Sequence, residues 1–362
     1  MKKLYVDLEK NSYNIYFETD FNSLSDKIRE CGEYKKILIV TDSNVYKLYS
    51  DEVKNKLLLS GFDVNVYSFT AGEENKNIDT ILNICGACIE YKLDRKSLII
   101  ALGGGVVGDM AGFAASIYMR GIDFVQVPTT LLSQSDSSVG GKTGIDFMNA
   151  KNILGAFHQP RLVYINVNTL KTLPKREFIS GMGEVIKHGI IRNKNFFYFL
   201  RDNKEMVSRL DADILLELAE KNCSIKADVV TKDEFENGLR ADLNLGHTIG
   251  HAIEAYSYFK LTHGQCVGLG IIAASYISFN RGILSEYDFE EIKNIFNLYE
   301  FDNKTQITDV EKIFTLMQKD KKNQSGMLKF ILPTSVGTVT QITDVTNEEM
   351  ALAINYINTL QM

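Results

Sequence analysis

The chain has 362 residues, 45% of them apolar and 24% charged, with 40 Lys and Arg against 46 Asp and Glu for a net charge of −6. That length allows two domains and a core that needs no disulfide staples. The charge excludes a nucleic-acid protein held by bulk positive potential. The five cysteines are an odd set, and Cys85 and Cys88, the one close pair, fall inside an apolar helical pattern. They read as core packing in a reducing compartment. The N-terminal MKKLYVDLEKNSYNIYF has no apolar stretch behind its basic residues, and glycine or charge interrupts every apolar run. No signal peptide or membrane span is expected, and the location expected is cytoplasmic.

In chain order, Lys36–Asp42 reads as a buried strand, Ser43–Ser60 as a helix, Phe62–Phe69 as a strand and Asn77–Tyr91 as a helix. Ser97–Leu102 is a third strand pattern, Val106–Met119 a helix and Phe124–Val127 a strand closed by Pro128. Such alternation predicts an α/β, Rossmann-like domain with a parallel sheet over residues 1–172. Beyond Pro174 strand patterns stop for about 150 residues. Helical patterns follow over Arg176–Ile191, Asn195–Asn203, Ala212–Thr231, His247–Tyr258, Gly264–Asn280 and Asp288–Leu298. Asp320–Asn323 reads as a charged loop, Met327–Leu332 with Thr338–Ile342 as a hairpin, and Asn347–Leu360 as a last helix. Residues 173–362 are therefore expected to form a mainly α-helical C-terminal domain.

Gly103-x-Gly105-x-x-Gly108 follows a strand pattern and opens a helix, the context in which backbone N–H groups receive a pyrophosphate. It follows the third strand pattern instead of the first, and no acid sits ~20 residues on at a strand end. Asp42, ending the first strand pattern, is the candidate for a ribose hydroxyl. Gly72-Glu73-x-x-Lys76 lies at the same sheet edge. Polar groups then crowd residues 128–159: Thr129, Thr130, Asp136, Lys142, Asp146, Lys151, Asn152 and His158. Gly140-Gly141-Lys142-Thr143 resembles the end of a P-loop, but Asp136 stands where the first glycine is required, so an ATP P-loop is rejected. Lys142 and Arg120 remain anion-ligand candidates.

All five histidines lie between residues 158 and 263, and His247, His251 and His263 cluster. His247 and His251 share a helical face, as do Glu184 and Lys187. Histidines with a carboxylate suit zinc or a similar divalent ion. Spacing alone makes His247 and His251 both ligands and does not decide between His251 and His263. Lys226, placed on the polar side of its helix, Arg240 and Asn244 precede the histidines, and Arg120, Lys142, Lys151, Lys187, Lys226, Arg240 and Lys322 make a cation supply far beyond what one dinucleotide needs. A small, multiply anionic substrate beside a metal and a dinucleotide accounts for it.

The blocks ALGGGVVGDMAGFAASIYMRGIDFVQVPTTLLSQSDSSVGGKTGID from residue 101, KNILGAFHQP (151–160), REFISGMGEVIKHG (176–189), GLRADLNLGHTIGHAIE (238–254) and HGQCVGLG (263–270) closely resemble the 3-dehydroquinate synthase family of sugar-phosphate cyclases. One loop, Phe147–Ala150, departs from the family pattern. The resemblance implies a dehydroquinate synthase-like fold, acting in the shikimate pathway. Its reaction turns 3-deoxy-arabino-heptulosonate 7-phosphate into 3-dehydroquinate and phosphate, with NAD reduced and reoxidised on one substrate. It implies that Glu184, His247 and His263 hold zinc or cobalt, and that His251 handles substrate and proton. Asp42, Glu73, Lys76, Gly104, Gly105, Asp109, Thr129, Thr130, Thr172 and Leu173 would line the NAD site, with Lys142 and Lys151 bordering it. Arg120, Lys142, Asn152, His251 and Lys322 would meet the substrate phosphate, Arg120 across a homodimer. Lys226 and Arg240 would meet the carboxylate, Asp136, Lys187 and Asn244 the reacting hydroxyls, and Lys151 would complete the pocket. The alternatives are another cyclase, a metal-dependent NAD polyol or glycerol-phosphate dehydrogenase, and a noncatalytic nucleotide binder.

Overall fold

A computed structural model describes residues 2–148, 150–236, 238–258, 260–301, 306–323 and 328–360, with backbone alone in 319–323. Cα packing divides the chain into two units, Met1–Leu173 with Leu210–Phe235, and Pro174–Arg209 with Glu236–Met362.

The first unit contains β1 (Lys2–Val6), β2 (Tyr13–Glu18), β3 (Lys36–Asp42), β4 (Asp63–Phe69), β5 (Leu98–Gly103), β6 (Asp123–Pro128), β7 (Lys142–Phe147), β8 (Ala150–Phe157) and β9 (Leu162–Asn166). Seven of them form one sheet in the order β1-β2-β9-β6-β5-β3-β4. Every pair is parallel except β1 with β2. Alternate residues of the central strands feed the two faces, as the period of 2 requires. Ile37, Ile39, Leu98, Ile100 and Leu102 pack on one side. Leu38, Val40, Ile99 and Ala101 pack on the other, against Met110, Ala111 and Ala114 of the Gly105–Ile117 helix. Both faces are covered, which is why these strands read as continuous apolar runs.

Several sequence expectations are corrected. The glycine-rich turn follows the fifth strand in chain order, because the β1–β2 pair precedes the first one read. The parallel sheet expected also carries an antiparallel edge strand, β1. The Ser43–Ser60 helix is interrupted by a π-turn at Tyr46–Ser50. β7 and β8 form a separate antiparallel hairpin.

The second unit is helical: Lys175–Arg192, Lys194–Asp202, His247–Tyr256, His263–Asn280, Glu286–Leu298, Val310–Asn323 and Asn347–Thr359. It also carries one hairpin, β10 (Phe330–Ser335) with β11 (Thr338–Ile342). The backbone of Asp320–Asn323 is helical and not the loop expected, since it completes the Val310–Asn323 helix. The His263–Asn280 helix starts on a capping box between Thr262 and Gln265 and is buried along nearly its whole length. Among the described residues, no helix is long and apolar enough to cross a membrane.

Candidate active site

In the first unit, β5 ends at Gly103 and Gly104 is the N-cap of the Gly105–Ile117 helix, where no side chain caps the first turn. A Cβ on Gly103 would lie 2.5 Å from Val107 Cγ2, and one on Gly108 2.7 Å from Gln126 Oε1. Gly103 is therefore needed where the strand meets the helix, and a side chain at Gly108 would displace the Gln126 amide. Side chains at Gly104 or Gly105 would crowd Thr130 and Ser137, each at 3.1 Å. The turn thus presents bare N–H groups and the positive end of a 13-residue helix, a site suited to pyrophosphate. Thr129 N–H closes the turn on the Gly103 carbonyl at 2.9 Å. Asp42 spends Oδ1 capping the turn after β3, accepting from the N–H groups of Asn44 and Val45. Thr172 Oγ1 shares a hydrogen bond with Tyr49 and ends the short Val167–Thr172 helix, which Leu173 follows.

Glu73 is exposed and Lys76 buried in the turn after β4. Lys76 Nζ donates to Asp109 Oδ2 at 2.7 Å and to Asn152 Oδ1, while the Asn152 N–H donates to Asp146 Oδ1 at 2.8 Å. Burial works against the Lys76 charge, and the carboxylates of Asp109 and Glu73 more than offset it, holding the ammonium above its ordinary pKa. Asn152, implied for phosphate, is thus joined to two residues implied for NAD. Lys142, Lys151 and Arg120 are exposed. His158 belongs to the packing: its ring stacks on Phe124 with centroids 5.2 Å apart, and Nε2 lies 3.0 Å from the Ile122 carbonyl.

The Ala212–Lys232 helix ties down the polar turn Ser133–Ser137. Asn222 donates to the Ser135 carbonyl at 2.6 Å, and Lys226 Nζ donates to both the carbonyl and Oδ1 of Asp136 at 2.6 Å. Lys226 is therefore buried, at 6% exposure, although it lies on the polar side of its helix.

In the second unit, Glu184 lies mid-helix with 1% of its side chain exposed, its Oε1 3.6 Å from His247 Nε2 and 3.3 Å from His263 Nε2. One donor atom from each of the three lies within 4.8 Å of the others. A glycine stands beside every one of them. A Cβ on Gly183 would lie 2.5 Å from the Gly264 carbonyl oxygen, and one on Gly264 1.8 Å from that of Ser180. Gly246 has φ +79°, and its Cβ would lie 2.6 Å from the Val267 carbonyl oxygen. These glycines let three helical segments approach closely enough to bring the donors together, a signal the sequence carried unread. Lys187 contacts Glu184 and is itself 2% exposed. Burial and the Lys187 charge hold His247 well below the usual histidine pKa, suiting a neutral donor. On His263 burial is outweighed by hydrogen bonds to Glu184 and Glu254, which raise it to about 9.

His251 is exposed, its ring 5.1 Å from that of His247 and 5.8 Å from that of His263. Arg240 is buried at 2% exposure in the Leu239–Asn244 turn. Asp242 anchors that turn by accepting from Arg192 at 2.6 Å and Gln341 at 2.8 Å, and Asn244 donates to Glu236 Oε1 at 3.3 Å. The side chain of Lys322 lies outside the described residues.

Sequence profiles of the 3-dehydroquinate synthase N-terminal and C-terminal domains match residues 66–180 and 181–323. A 3-dehydroquinate synthase of Ruminiclostridium cellulolyticum is 48% identical over 343 residues, 95% of this chain and 96% of its own length. One from Acetivibrio thermocellus is 46% identical with the same coverage. Among solved structures, a 2-epi-5-epi-valiolone synthase of Streptomyces hygroscopicus with NAD+ and Zn2+ bound superposes with a TM-score of 0.89 at 24% identity, covering 97% of this chain and 98% of that one. A 2-deoxy-scyllo-inosose synthase complexed with carbaglucose-6-phosphate, NAD+ and Co2+ gives 0.85 at 24% identity, covering 99% of both. The fold is that of the sugar-phosphate cyclases. Within that class the chain belongs to the 3-dehydroquinate synthase family, and it is an enzyme of the carbon–oxygen lyase type.

Proposed function

We propose that the enzyme converts 3-deoxy-arabino-heptulosonate 7-phosphate to 3-dehydroquinate and phosphate, as a homodimer. The observation that carries this reading is the trio of a buried Glu184 with the half-buried His247 and His263 in a chain 48% identical to a 3-dehydroquinate synthase. One carboxylate and two imidazoles form the donor set of a catalytic zinc-type ion that leaves positions open for substrate oxygens. The uncapped helix start at Gly104 and Gly105 suits the pyrophosphate of a dinucleotide. Asp42, Glu73, Lys76, Asp109, Thr129, Thr130, Thr172 and Leu173 would line the rest of its site. When bound, NAD supplies a hydride acceptor that is regenerated in the same turnover, and zinc or cobalt supplies Lewis acidity at the C5 oxygen.

The protein's own share is binding, orientation and charge. Lys226 and Arg240 would clamp the substrate carboxylate, Arg240 through a planar fork. Arg120, Lys142, Asn152, His251 and Lys322 would hold the phosphate, stabilising it as a leaving group, with Lys151 completing the cationic lining. Asp136, Lys187 and Asn244 would fix the reacting hydroxyls, and His251 would handle a proton near them. Once C5 is a ketone the neighbouring C6 proton is acidified, and an oxygen of the departing phosphate can take it. Once C5 is an alcohol again, which is what leaves the hydride acceptor regenerated, ring opening and an intramolecular aldol step close the carbocycle. The test is direct: the purified protein with the heptulosonate phosphate, NAD+ and Zn2+ or Co2+ is expected to form one 3-dehydroquinate per phosphate released. Release of neither, from protein shown to hold metal and NAD+, overturns the reading.

A further inference from the structure

Glu254 belongs to none of the site residues assigned above, yet it is a carboxylate with 5% exposure in the His247–Tyr256 helix. Its Oε2 lies 3.5 Å from Nδ1 of His263, whose other ring nitrogen, Nε2, lies 3.3 Å from Glu184 Oε1. The second histidine of the trio repeats the arrangement. Nδ1 of His247 lies 3.1 Å from the Leu245 carbonyl while Nε2 faces Glu184 at 3.6 Å. Both rings therefore present Nε2 to Glu184 and Nδ1 to an acceptor. A neutral imidazole carries one N–H, and the acceptor it meets decides which nitrogen keeps the proton.

We propose that Glu254 is a positioning residue of the metal site: it holds the His263 proton on Nδ1 and so keeps Nε2 of that ring free, and turned, for the ion. This rests on the reading of Glu184, His247 and His263 as the ligands of a divalent metal. A rival arrangement exists, because His251, Glu254 and His263 also place donor atoms within 4.8 Å of one another. That set would use Nδ1 of His263, turn Glu254 into a ligand and draw on the exposed His251. The set with Glu184 is the deeper one, and a buried carboxylate behind an imidazole is the usual outer support of a histidine ligand.

The experiment strips the purified protein of metal and titrates it with Zn2+ and with Co2+, following heat and the visible Co2+ spectrum. The parent, Glu254→Gln and Glu184→Gln are compared, each also melted metal-free. Glu254→Gln is expected to bind one ion per chain with roughly 10–100-fold weaker affinity, a shifted Co2+ spectrum and an unchanged metal-free melting temperature. Unchanged affinity overturns the proposal. So does complete loss of binding, matching Glu184→Gln, which makes Glu254 a ligand. So does a weakening accompanied by a lowered metal-free melting temperature, which marks a merely structural carboxylate. If Glu254→Gln does not fold, Glu254→Asp takes its place in the same comparison. A parent that binds no divalent ion sinks the metal reading together with the proposal, whereas a parent that binds one while Glu254→Gln matches it sinks the proposal alone.

Discussion

Lys226 and Asp136, ninety positions apart, are joined twice: Lys226 Nζ donates at 2.6 Å to both the backbone carbonyl and Oδ1 of Asp136. The pair staples the Ala212–Lys232 helix to the Ser133–Ser137 turn, with side-chain exposures of 7% and 25%. Removing one partner takes this compensation away from the other's partly buried charge. Lys226→Met and Asp136→Asn are each expected to cost about 1–3 kcal/mol, lowering the melting temperature by several degrees. The double variant should lose less than the sum of the two. Singles that melt like the parent contradict the staple.

Gly264 is the tightest helix contact in the second unit, since an added Cβ would stand 1.8 Å from the Ser180 carbonyl oxygen. Backbone and not a movable side chain is in the way, so the helices must separate. Gly264→Ala is expected to destabilise by more than ~3 kcal/mol and to weaken metal binding by moving His263 away from Glu184. Metal content and melting temperature check both, and an alanine variant with parental values for each refutes the close crossing.

The three clustered histidines make a sharper comparison. His247→Ala and His263→Ala are expected to lose bound metal and activity together. His251→Ala should retain the metal and lose most turnover, because His251 is exposed beside the trio and is not needed to complete it. Metal analysis of the purified variants decides. A metal-free His251→Ala beside a metal-loaded His263→Ala reverses the assignment.

One pH effect follows from Arg281. Its guanidinium donates to Glu349 Oε1 at 2.6 Å and Oε2 at 2.8 Å, and with Thr346 it holds the carboxyl at about 2. The folded pKa is depressed, so the stabilisation is complete above the unfolded carboxylate value of ~4.3 and is lost as pH falls from there toward 2. Arg281→Gln should therefore melt below the parent at pH 7, and the gap should narrow below about pH 4. A gap independent of pH rules out an ionic origin.

Much of this was legible in the chain because its physics is local. β3, β5 and β6 are mostly apolar and buried on both faces, β4 alternates at the sheet edge, and the helices after β3, β4 and β5 start on Asp42, Asn77 and Gly104 caps. β8 escaped because Ala150–Phe157 is almost wholly exposed and carries Lys151, Asn152 and glycine, with no apolar alternation to read. β1 and β2 escaped because they pair with each other at the sheet edge, without the strand–helix alternation that marks the centre. The Lys226–Asp136 pair was hidden for another reason. Helical periodicity placed Lys226 opposite the apolar stripe, but that face packs on the Ser133–Ser137 turn and not on solvent. The metal trio was legible only down to the choice of histidine. Its decisive feature, a glycine beside each donor, concerns the distance between helices, which spacing along one helix cannot report.

Oxidation and reduction are expected to occur on one and the same substrate molecule. The metal-loaded enzyme is supplied with the heptulosonate phosphate and NAD+ far below the substrate concentration, and phosphate and NADH absorbance are followed together. Complete phosphate release with no accumulating NADH is expected. Phosphate-free oxidation that stops after one NADH per NAD+ supplied contradicts it and makes the protein a dehydrogenase.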